Sequence, residues 1–253
     1  MVVDIKKWRM GMTVDLEKSS TEGAAEARDF AWPLEPTSPV RPQIYIGLRQ
    51  RIIRGEIPPG TALSEAEIAR RFSISRQPVR EAFIKLAEEG LLEIRPQRGT
   101  FVRKISKTAV MDARFVREAI EANIARELAV EGDAGLVARL RKQLTAQQAV
   151  PTGELYDFMR LDEEFHWTLA DAGGRLYGWK VIEDVKLQMD RVRYMSLRSF
   201  PQGKLVRQHT AIVDAIEKAE PDEAERAMRE HLQLIMDDLP AIEAQHPDFF
   251  TPA

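Results

Sequence analysis

The fold is decided by the stretch Ser75-Arg76-Gln77-Pro78-Val79-Arg80-Glu81-Ala82. Ser75 is a suitable N-cap, and Pro78 is tolerated in the first turn because backbone N–H groups there lack intrahelical partners. A shorter helix is predicted just before it, since Ser64 and Glu67 have the spacing of a capping box. Only three residues separate the two helices. Two short helices joined by so short a turn predict a helix-turn-helix.

The elements on either side extend this pair to a winged helix-turn-helix. Before it, four apolar residues recur at helical spacing and predict a helix that ends near the turn at 58–60. After it, Gly90 ends the second helix of the pair, and two short strands are predicted at 91–94 and 100–102 around a hairpin turn. The apolar residues of the preceding helix are Ile44, Leu48, Ile52 and Ile53.

The chain from about residue 107 to residue 245 is predicted to be helical. Proline and glycine positions divide it into six helices joined by short loops, which is the layout of an antiparallel bundle. We expect Pro240 to kink or fray the last helix. The fold class is therefore mainly α, an N-terminal winged helix-turn-helix followed by an all-α antiparallel helical bundle. The predicted breaks lie at Gly132, 151–153, 173–174, 201–203 and 220–221.

Four regions follow from these patterns. Residues 1–40 show no sustained period and end in a proline-rich stretch, so we expect a flexible N-terminal extension. The winged helix-turn-helix domain is predicted to occupy residues 41–105, and the helical domain residues 106–245. Residues 246–253 are predicted to form a C-terminal tail.

The net charge of −3 is distributed unevenly along the chain. Residues 41–105 carry thirteen Lys/Arg and seven Asp/Glu, a net charge of +6, whereas residues 106–253 carry nineteen against twenty-six, a net charge of −7. This asymmetry is expected when one half meets nucleic-acid phosphates and the other does not. The absence of cysteine excludes disulfides and thiolate metal sites. Without a long apolar run or a signal peptide, a cytoplasmic location without membrane contact is predicted.

The second helix of the pair carries a cationic face. Arg76 and Arg80 are four residues apart and share that face, with Gln77 beside them. In the major groove of DNA, arginine can bind guanine and glutamine prefers adenine, while Arg98 beside Gly99 at the hairpin tip could reach a minor groove. An ordinary solvated cationic face is the alternative. The turn, the cap, the hairpin and the local charge together favour double-stranded DNA as the partner.

All four histidines lie in the C-terminal half of the chain. Asp162 and His166 fall on the apolar stripe of one predicted helix, and His209 and His231 fall on the stripes of two others. Burying such groups is costly unless they find partners, and one shared divalent ion would satisfy all four. Zinc is favoured, with nickel, manganese or iron as alternatives. A lone inward histidine is usually a hydrogen-bonded core residue, but three on separate helices favour a metal. His246 is expected in an exposed tail.

The stretch 44–102 resembles the DNA-binding domain of the GntR family of bacterial regulators, and the segment at 75–82 is highly specific for it. The resemblance implies that the wing tip at Gly99 follows the minor groove. Many relatives carry an arginine where this chain has Ala66, so we expect the operator to differ at the base pair which that arginine reads. The residues that the resemblance places in the major groove are Arg76, Gln77 and Arg80.

Residues 107–245 resemble the FCD-type effector domain of the FadR-like branch of this family. The match includes the pattern Asp-x-x-x-His…His…His formed by the four inward residues, and it implies a metal at the bottom of a bundle cavity with a small carboxylate effector beside it. Arg117 fits the family's Arg-x-x-(Leu/Ile)-Glu segment, and an inward arginine could clamp that carboxylate. A buried ion pair with Glu121, one turn away, is an equal alternative. Further residues that could line the cavity are Arg191, Arg193 and Tyr194.

We therefore predict a ligand-responsive, DNA-binding transcriptional regulator, most simply a repressor, that binds a palindromic operator as a homodimer. One alternative is a metal-dependent enzyme that uses the Asp/His site. Another is an architectural DNA-binding protein without sequence preference. The sequence contains no hydrolase, P-loop or dinucleotide-binding motif and no inward carboxylate that is an obvious general base, so we expect no enzymatic activity.

Overall fold

The computed structural model describes residues 32–199 and 202–252, so most of the predicted extension of residues 1–40 lies outside the described residues. The described chain is mainly helical, with a small sheet near its N-terminal end, as predicted. Its helices are α1 Val40–Ile53, α2 Glu65–Arg71, α3 Arg76–Glu88, α4 Lys107–Glu131, α5 Ala134–Gln148, α6 Leu155–Ala172, α7 Leu176–Val185, α8 Leu187–Ser199, α9 Gly203–Glu217 and α10 Pro221–Gln245. Its strands are β1 Ala62–Leu63, β2 Leu92–Arg95 and β3 Gly99–Val102.

Helices α1 to α3 and the three strands form the winged helix-turn-helix. The sheet is antiparallel in the order β1-β3-β2, and in the β2–β3 hairpin Arg95 pairs with Gly99. The two-residue strand β1 was not predicted, because a segment this short has no alternating pattern. Apolar side chains of the three helices fill the core of this domain. They include Ile44, Leu48, Ile52, Ile68, Val79, Phe83 and Leu86.

The two predicted helix caps differ in their hydrogen bonds. Ser64 Oγ accepts a hydrogen bond from the backbone N–H of Glu67 at 3.3 Å, so the cap of α2 is present. The carboxylate of Glu67 forms an ion pair at 2.5 Å with Arg71, one helical turn further along α2. Ser75 occupies the N-cap position of α3 but makes no side-chain cap hydrogen bond.

The described part of the C-terminal half contains seven helices, one more than predicted. The additional break lies at Lys186, which separates α7 from α8. Lys186 is buried, and its Nζ contacts Glu163 at 2.9 Å and Asp190 at 2.7 Å. No proline or glycine marks this position, so the break could not be predicted from the residues. At the other end, α10 runs through Pro240 to Gln245, so Pro240 does not end the helix.

The C-terminal residues, predicted as a tail, pack against the segment that joins the two domains. Pro247–Phe249 forms a 3-10 helix, and the backbone of Ile105 pairs with Phe250 in a parallel bridge. Phe250 is 2% exposed, which explains why this segment is ordered against the protein rather than solvated. His246, expected to be exposed, is half-buried and its ring lies 5.7 Å from that of Phe249.

None of the helices in the described part of the chain combines the length and apolar character that a membrane crossing needs.

Candidate metal centre and nucleic-acid interface

Three helices bring the four predicted metal-site residues together in the core of the C-terminal domain. Asp162 and His166 come from α6, His209 from α9 and His231 from α10, and all four are at most 4% exposed. One potential ligand atom from each lies within 4.8 Å of the others. The Nε2 atoms of His166 and His231 are 3.1 Å apart, and Nε2 of His209 is 3.6 Å from Oδ1 of Asp162. The Nε2 atoms therefore face a common point.

The opposite ring nitrogen of each histidine faces a side-chain oxygen. Nδ1 of His209 lies 2.8 Å from Oε1 of Gln147 on α5. Nδ1 of His231 lies 3.4 Å from the amide oxygen of Gln208. The third contact places Nδ1 of His166 2.5 Å from Oε2 of Glu121 on α4. The acceptors at Nδ1 of His209 and His231 favour the tautomer that leaves Nε2 free to bind a metal, whereas Nδ1 of His166 is close to Glu121 without hydrogen-bond geometry.

The electrostatics of the cluster keep Asp162 charged and keep His209 and His231 neutral. Burial opposes ionisation of Asp162, but Arg193 on α8 and the nearby histidines hold the pKa of this carboxyl far below its usual range. Burial lowers the pKa of His209 to about 3 and also lowers that of His231. A charged carboxylate with neutral imidazoles is the protonation state that binds a divalent metal.

Two buried polar atoms of this cluster test whether a metal fits. Within the described residues, neither Oδ1 of Asp162 nor Nε2 of His209 has a hydrogen-bond partner. Buried polar atoms are normally satisfied, so each such atom needs an explanation. Three imidazole nitrogens and one carboxylate oxygen suit zinc or another first-row divalent ion. The donor set and its two unsatisfied atoms therefore fit a metal.

A small cavity of about 30 Å³ adjoins the cluster, and both Arg117 and His231 line it. The Nε of Arg117 donates to Glu121 at 2.5 Å and its Nη2 donates at 3.3 Å, so the buried ion pair weighed from the sequence is present. Burial alone would raise the pKa of Glu121, but Arg117 and His166 lower it to about 2. Nη1 of Arg117 makes no hydrogen bond within the described residues, so the guanidinium keeps a donor for a ligand.

The three further cavity candidates on α8 have different positions. Arg193 lines the cavity and donates a hydrogen bond to Asp162. Arg191 is buried and its Nη1 donates to the backbone oxygen of Arg103 at 2.8 Å, at the end of the winged helix-turn-helix. Tyr194 is half-buried and does not line the cavity. Only Arg193 therefore belongs to the candidate site.

Sequence reasoning missed the partners that surround the histidines. Gln147 and Gln208 lie on helices other than those of the histidines they contact, so no local spacing links them. The inward position of Gln147 could have been noticed, since it follows Leu140 and Leu144 at helical spacing on α5. Glu121 was expected only as a partner of Arg117, and its contact with His166 was not foreseen. The carboxylate of Glu121 is buried in the domain core, where it already contacts Arg117 and His166.

The predicted DNA-contacting residues are all exposed on the winged helix-turn-helix. Arg76 and Arg80 are exposed in the first turns of α3, where Val79 points into the core. Gln77 is exposed and its amide donates to Glu81 at 2.9 Å. The wing residues at the β2–β3 turn are exposed as well. The guanidinium groups of Arg76, Arg80 and Arg98 are exposed and form no ion pair within residues 32–199 and 202–252.

Comparisons with known proteins agree with this architecture. Residues 41–102 match the family described as bacterial regulatory proteins, gntR family, and residues 112–234 match the FCD domain. The HTH-type transcriptional repressor RspR of Escherichia coli (strain K12) is 45% identical over 86% of this chain and 96% of that protein. An uncharacterized HTH-type transcriptional regulator of Streptomyces ambofaciens is 38% identical over 83% of this chain and 89% of its own length.

A solved structure has the same fold. The structure of E. coli McbR/YncC superimposes with a TM-score of 0.66, covering 83% of this chain and 100% of that one at 18% identity. At this level of identity the likeness concerns the fold alone. The two family matches and the similarity to RspR over nearly its full length assign the chain to DNA-binding regulation rather than to catalysis. The chain belongs to the GntR family of bacterial transcriptional regulators and carries an FCD domain after its DNA-binding domain.

Proposed function

We propose that this regulator is a metal-containing repressor that binds a palindromic operator as a homodimer in the cytoplasm and responds to a small organic acid. The observation that carries the proposal is the convergence of Asp162, His166, His209 and His231 beside a cavity lined by Arg117 and Arg193. A role in repression is supported by one relative, which is 45% identical to this chain and is named a transcriptional repressor.

The four clustered residues would hold one divalent ion, zinc in the first instance, with nickel, manganese or iron as alternatives. When bound, such an ion supplies a Lewis-acidic position for an oxygen of a carboxylate ligand. Side chains of the protein would supply the other contacts to that carboxylate. Arg117 and Arg193 face the cavity with guanidinium groups, which match a carboxylate in shape and charge. A small organic acid beside the metal is therefore the effector that this site favours.

Helix α8 is a candidate for the link between the effector cavity and the DNA-binding domain. On one side, Arg193 contacts Asp162 and lines the cavity. On the other, Gln188 donates to the backbone oxygen of Gly90 at 2.7 Å, and Arg191 donates to that of Arg103. Both acceptors belong to the winged helix-turn-helix. A ligand that shifts α8 would therefore shift the DNA-binding domain, by no more than the ligand's difference in affinity for the two arrangements.

On DNA, we propose that Arg76, Gln77 and Arg80 of α3 enter the major groove, while Arg98 and Gly99 of the wing approach the minor groove. These side chains are exposed and their domain is basic. A homodimer would place two copies of α3 on the two half-sites of a palindrome.

The test is the metal content of the purified full-length protein, measured by mass spectrometry for the wild type and for His209→Ala. About one divalent ion per chain, lost in the variant, is expected. The matched control is His246→Ala, since the ring of His246 lies outside the cluster and is tilted against that of Phe249. A folded, metal-free wild type that still binds operator DNA would overturn the metal part of the proposal.

The DNA part is tested separately by comparing operator with random DNA of equal length. Fragments selected from a random pool are expected to be bound at least ~10³-fold more tightly than unselected DNA. Equal affinity for both would indicate an architectural DNA-binding protein and would overturn the proposed repressor.

A further inference from the structure

The turn at the tip of the wing has an unusual residue at its third position. The backbone N–H of Arg98 donates to the backbone oxygen of Arg95 at 3.0 Å, so residues 95–98 form a β-turn. Proline holds its own φ at about −65°, and Gln97 has a φ of 61°, so Pro96 and Gln97 together define a type II turn. The third position of such a turn favours glycine, because a side chain at positive φ crowds the backbone.

The chain places glycine at most other positions of this kind. Ten residues in the described part of the chain have positive φ, and seven of them are glycine. Of the three exceptions, Ser73 and Ala219 directly follow the C-caps of α2 and α9, where a left-handed residue commonly closes a helix. Gln97 is the third exception, and it lies in a hairpin turn. Its backbone strain is therefore not explained by a helix end.

The side chain of Gln97 makes no interaction that would offset this strain. It is exposed, and its amide forms no hydrogen bond within residues 32–199 and 202–252. Arg95, at the base of the turn, is engaged by contrast. Its guanidinium contacts Glu93 at 2.9 Å and lies over the ring of Phe101, 4.8 Å from the ring centroid. Strained residues concentrate at functional sites, which indicates that the Gln97 amide has a partner outside the chain.

We infer that Gln97 is a specificity-determining residue that recognises a G·C base pair in the minor groove of the operator. The inference rests on the proposed function, which brings the wing to that groove. A glutamine amide carries both hydrogen-bond donors and an acceptor. The minor-groove edge of an A·T pair offers acceptors only, whereas a G·C pair adds the donor of the guanine 2-amino group. Over A·T the amide oxygen of Gln97 would lose water without gaining a donor, and over G·C it is paired.

The neighbouring Arg98 cannot make this distinction. A guanidinium carries donors only, so it binds the phosphates and the acceptors that both kinds of base pair present in the minor groove. Removing the Arg98 side chain is therefore expected to weaken binding to all sequences. Removing the Gln97 amide is expected to abolish the preference at one base pair in each half-site.

The test replaces guanine by inosine, one base pair at a time, in an operator that the full-length protein has selected from a random pool. Inosine lacks the 2-amino group in the minor groove and keeps the major-groove edge of guanine. We expect one G·C pair per half-site at which replacement in both half-sites weakens wild-type binding by about 10-fold. Fluorescence anisotropy at fixed salt measures the affinities.

Variants then assign this response to Gln97. Gln97→Gly is expected to bind the guanine and inosine operators equally, and it should unfold at no lower temperature than the wild type, since glycine adopts positive φ without strain. Gln97→Ala keeps a side chain at the same φ and should lose the response as well, which separates the amide from the flexibility of glycine. Arg98→Ala is the matched control, expected to bind every operator more weakly but to keep the response to inosine.

The inference is overturned if no inosine replacement weakens wild-type binding by more than about 2-fold, or if the response survives in Gln97→Gly. The same DNA separates this inference from the function on which it rests. A wild type that prefers the selected operator to random DNA without responding to inosine contradicts the role of Gln97 alone. A wild type that binds both DNAs equally contradicts the proposed repressor itself.

Discussion

Arg193 of α8 donates a hydrogen bond to Asp162 of α6, and this contact joins the cavity lined by Arg117 and Arg193 to the histidine cluster. Arg193 is also 4.0 Å from Asp190 on its own helix. The guanidinium therefore neutralises Asp162 in the absence of a metal. A divalent ion bound to Asp162 would share that role.

Arg193→Met is expected to destabilise the metal-free protein by about 3 kcal/mol, because it leaves the charge of Asp162 buried without its partner. With zinc bound, the loss should be smaller, since the metal neutralises the same carboxylate. Denaturant unfolding with and without zinc measures both values. Equal losses in the two states would show that Asp162 is not a metal ligand.

Gln147→Leu is expected to weaken zinc binding by roughly 10–100-fold, because Nδ1 of His209 loses the acceptor that orients its ring. Competition with a chromogenic chelator gives the affinity. Gln143→Leu is the matched control. Gln143 is also buried on α5 but donates to Thr168, outside the cluster, so its loss should lower stability without changing zinc affinity. The same weakening in both variants would contradict an orienting role for Gln147.

Arg80→Ala is expected to weaken binding of a selected operator by about 10–100-fold, since an arginine–guanine contact contributes about 1–3 kcal/mol of discrimination. Arg98→Ala should weaken operator and random DNA by similar factors, as expected for a contact near the backbone. Fluorescence anisotropy at fixed salt measures both. Lys85→Ala provides the control, because Lys85 lies over the ring of Tyr45 at 4.2 Å and away from the start of α3. Unchanged operator affinity in Arg80→Ala would contradict the assigned recognition surface.

Stability at high pH should depend on Tyr45 of α1. Burial raises the pKa of Tyr45 above its usual value of 10.0, and the hydrogen bond that its hydroxyl donates to Glu89 adds to the effect. The unfolded chain loses this proton near pH 10 while the folded protein keeps it. The stabilisation is therefore full below pH 10 and falls as pH rises above it, by up to about 1 kcal/mol per pH unit. Urea unfolding at pH 9, 10 and 11 should show a smaller decline for Tyr45→Phe, and an equal decline would contradict this.

Phe250→Ala is expected to lower stability by about 3 kcal/mol, since it empties a buried aromatic site. It should also increase hydrogen exchange at Ile105, whose N–H donates to the backbone oxygen of Phe249 at 2.8 Å. Zinc affinity should be unchanged, because the cluster is formed by other helices. Pro252→Ala, at an exposed position, is the control. Unaltered exchange at Ile105 in the Phe250 variant would show that the C-terminal residues do not hold this segment.

The predictable features of the site were those encoded within one helix. Asp162 and His166 share a face because they are four residues apart, and the same periodicity indicated that His209 and His231 are buried. The Arg117–Glu121 pair is also local, so it could be proposed as an alternative. The positions of Gln147 and Gln208 were not predicted, because they depend on how separate helices pack. The break at Lys186 was also missed, because no proline or glycine marks it and the contacts of Lys186 with Glu163 and Asp190 depend on helix packing.

The pairing of Ile105 with Phe250 has a consequence for how the protein is made. Thr251, which also binds the backbone of Ile105, is 146 residues further along the chain. At a synthesis rate of roughly 5–20 residues per second, the winged helix-turn-helix leaves the ribosome on the order of ten seconds before its partner residues are translated. During that interval the newly made DNA-binding domain has no C-terminal segment to fix its linker. A chain that has been translated only through the helical bundle therefore lacks the contacts that residues 249–251 make with Ile105.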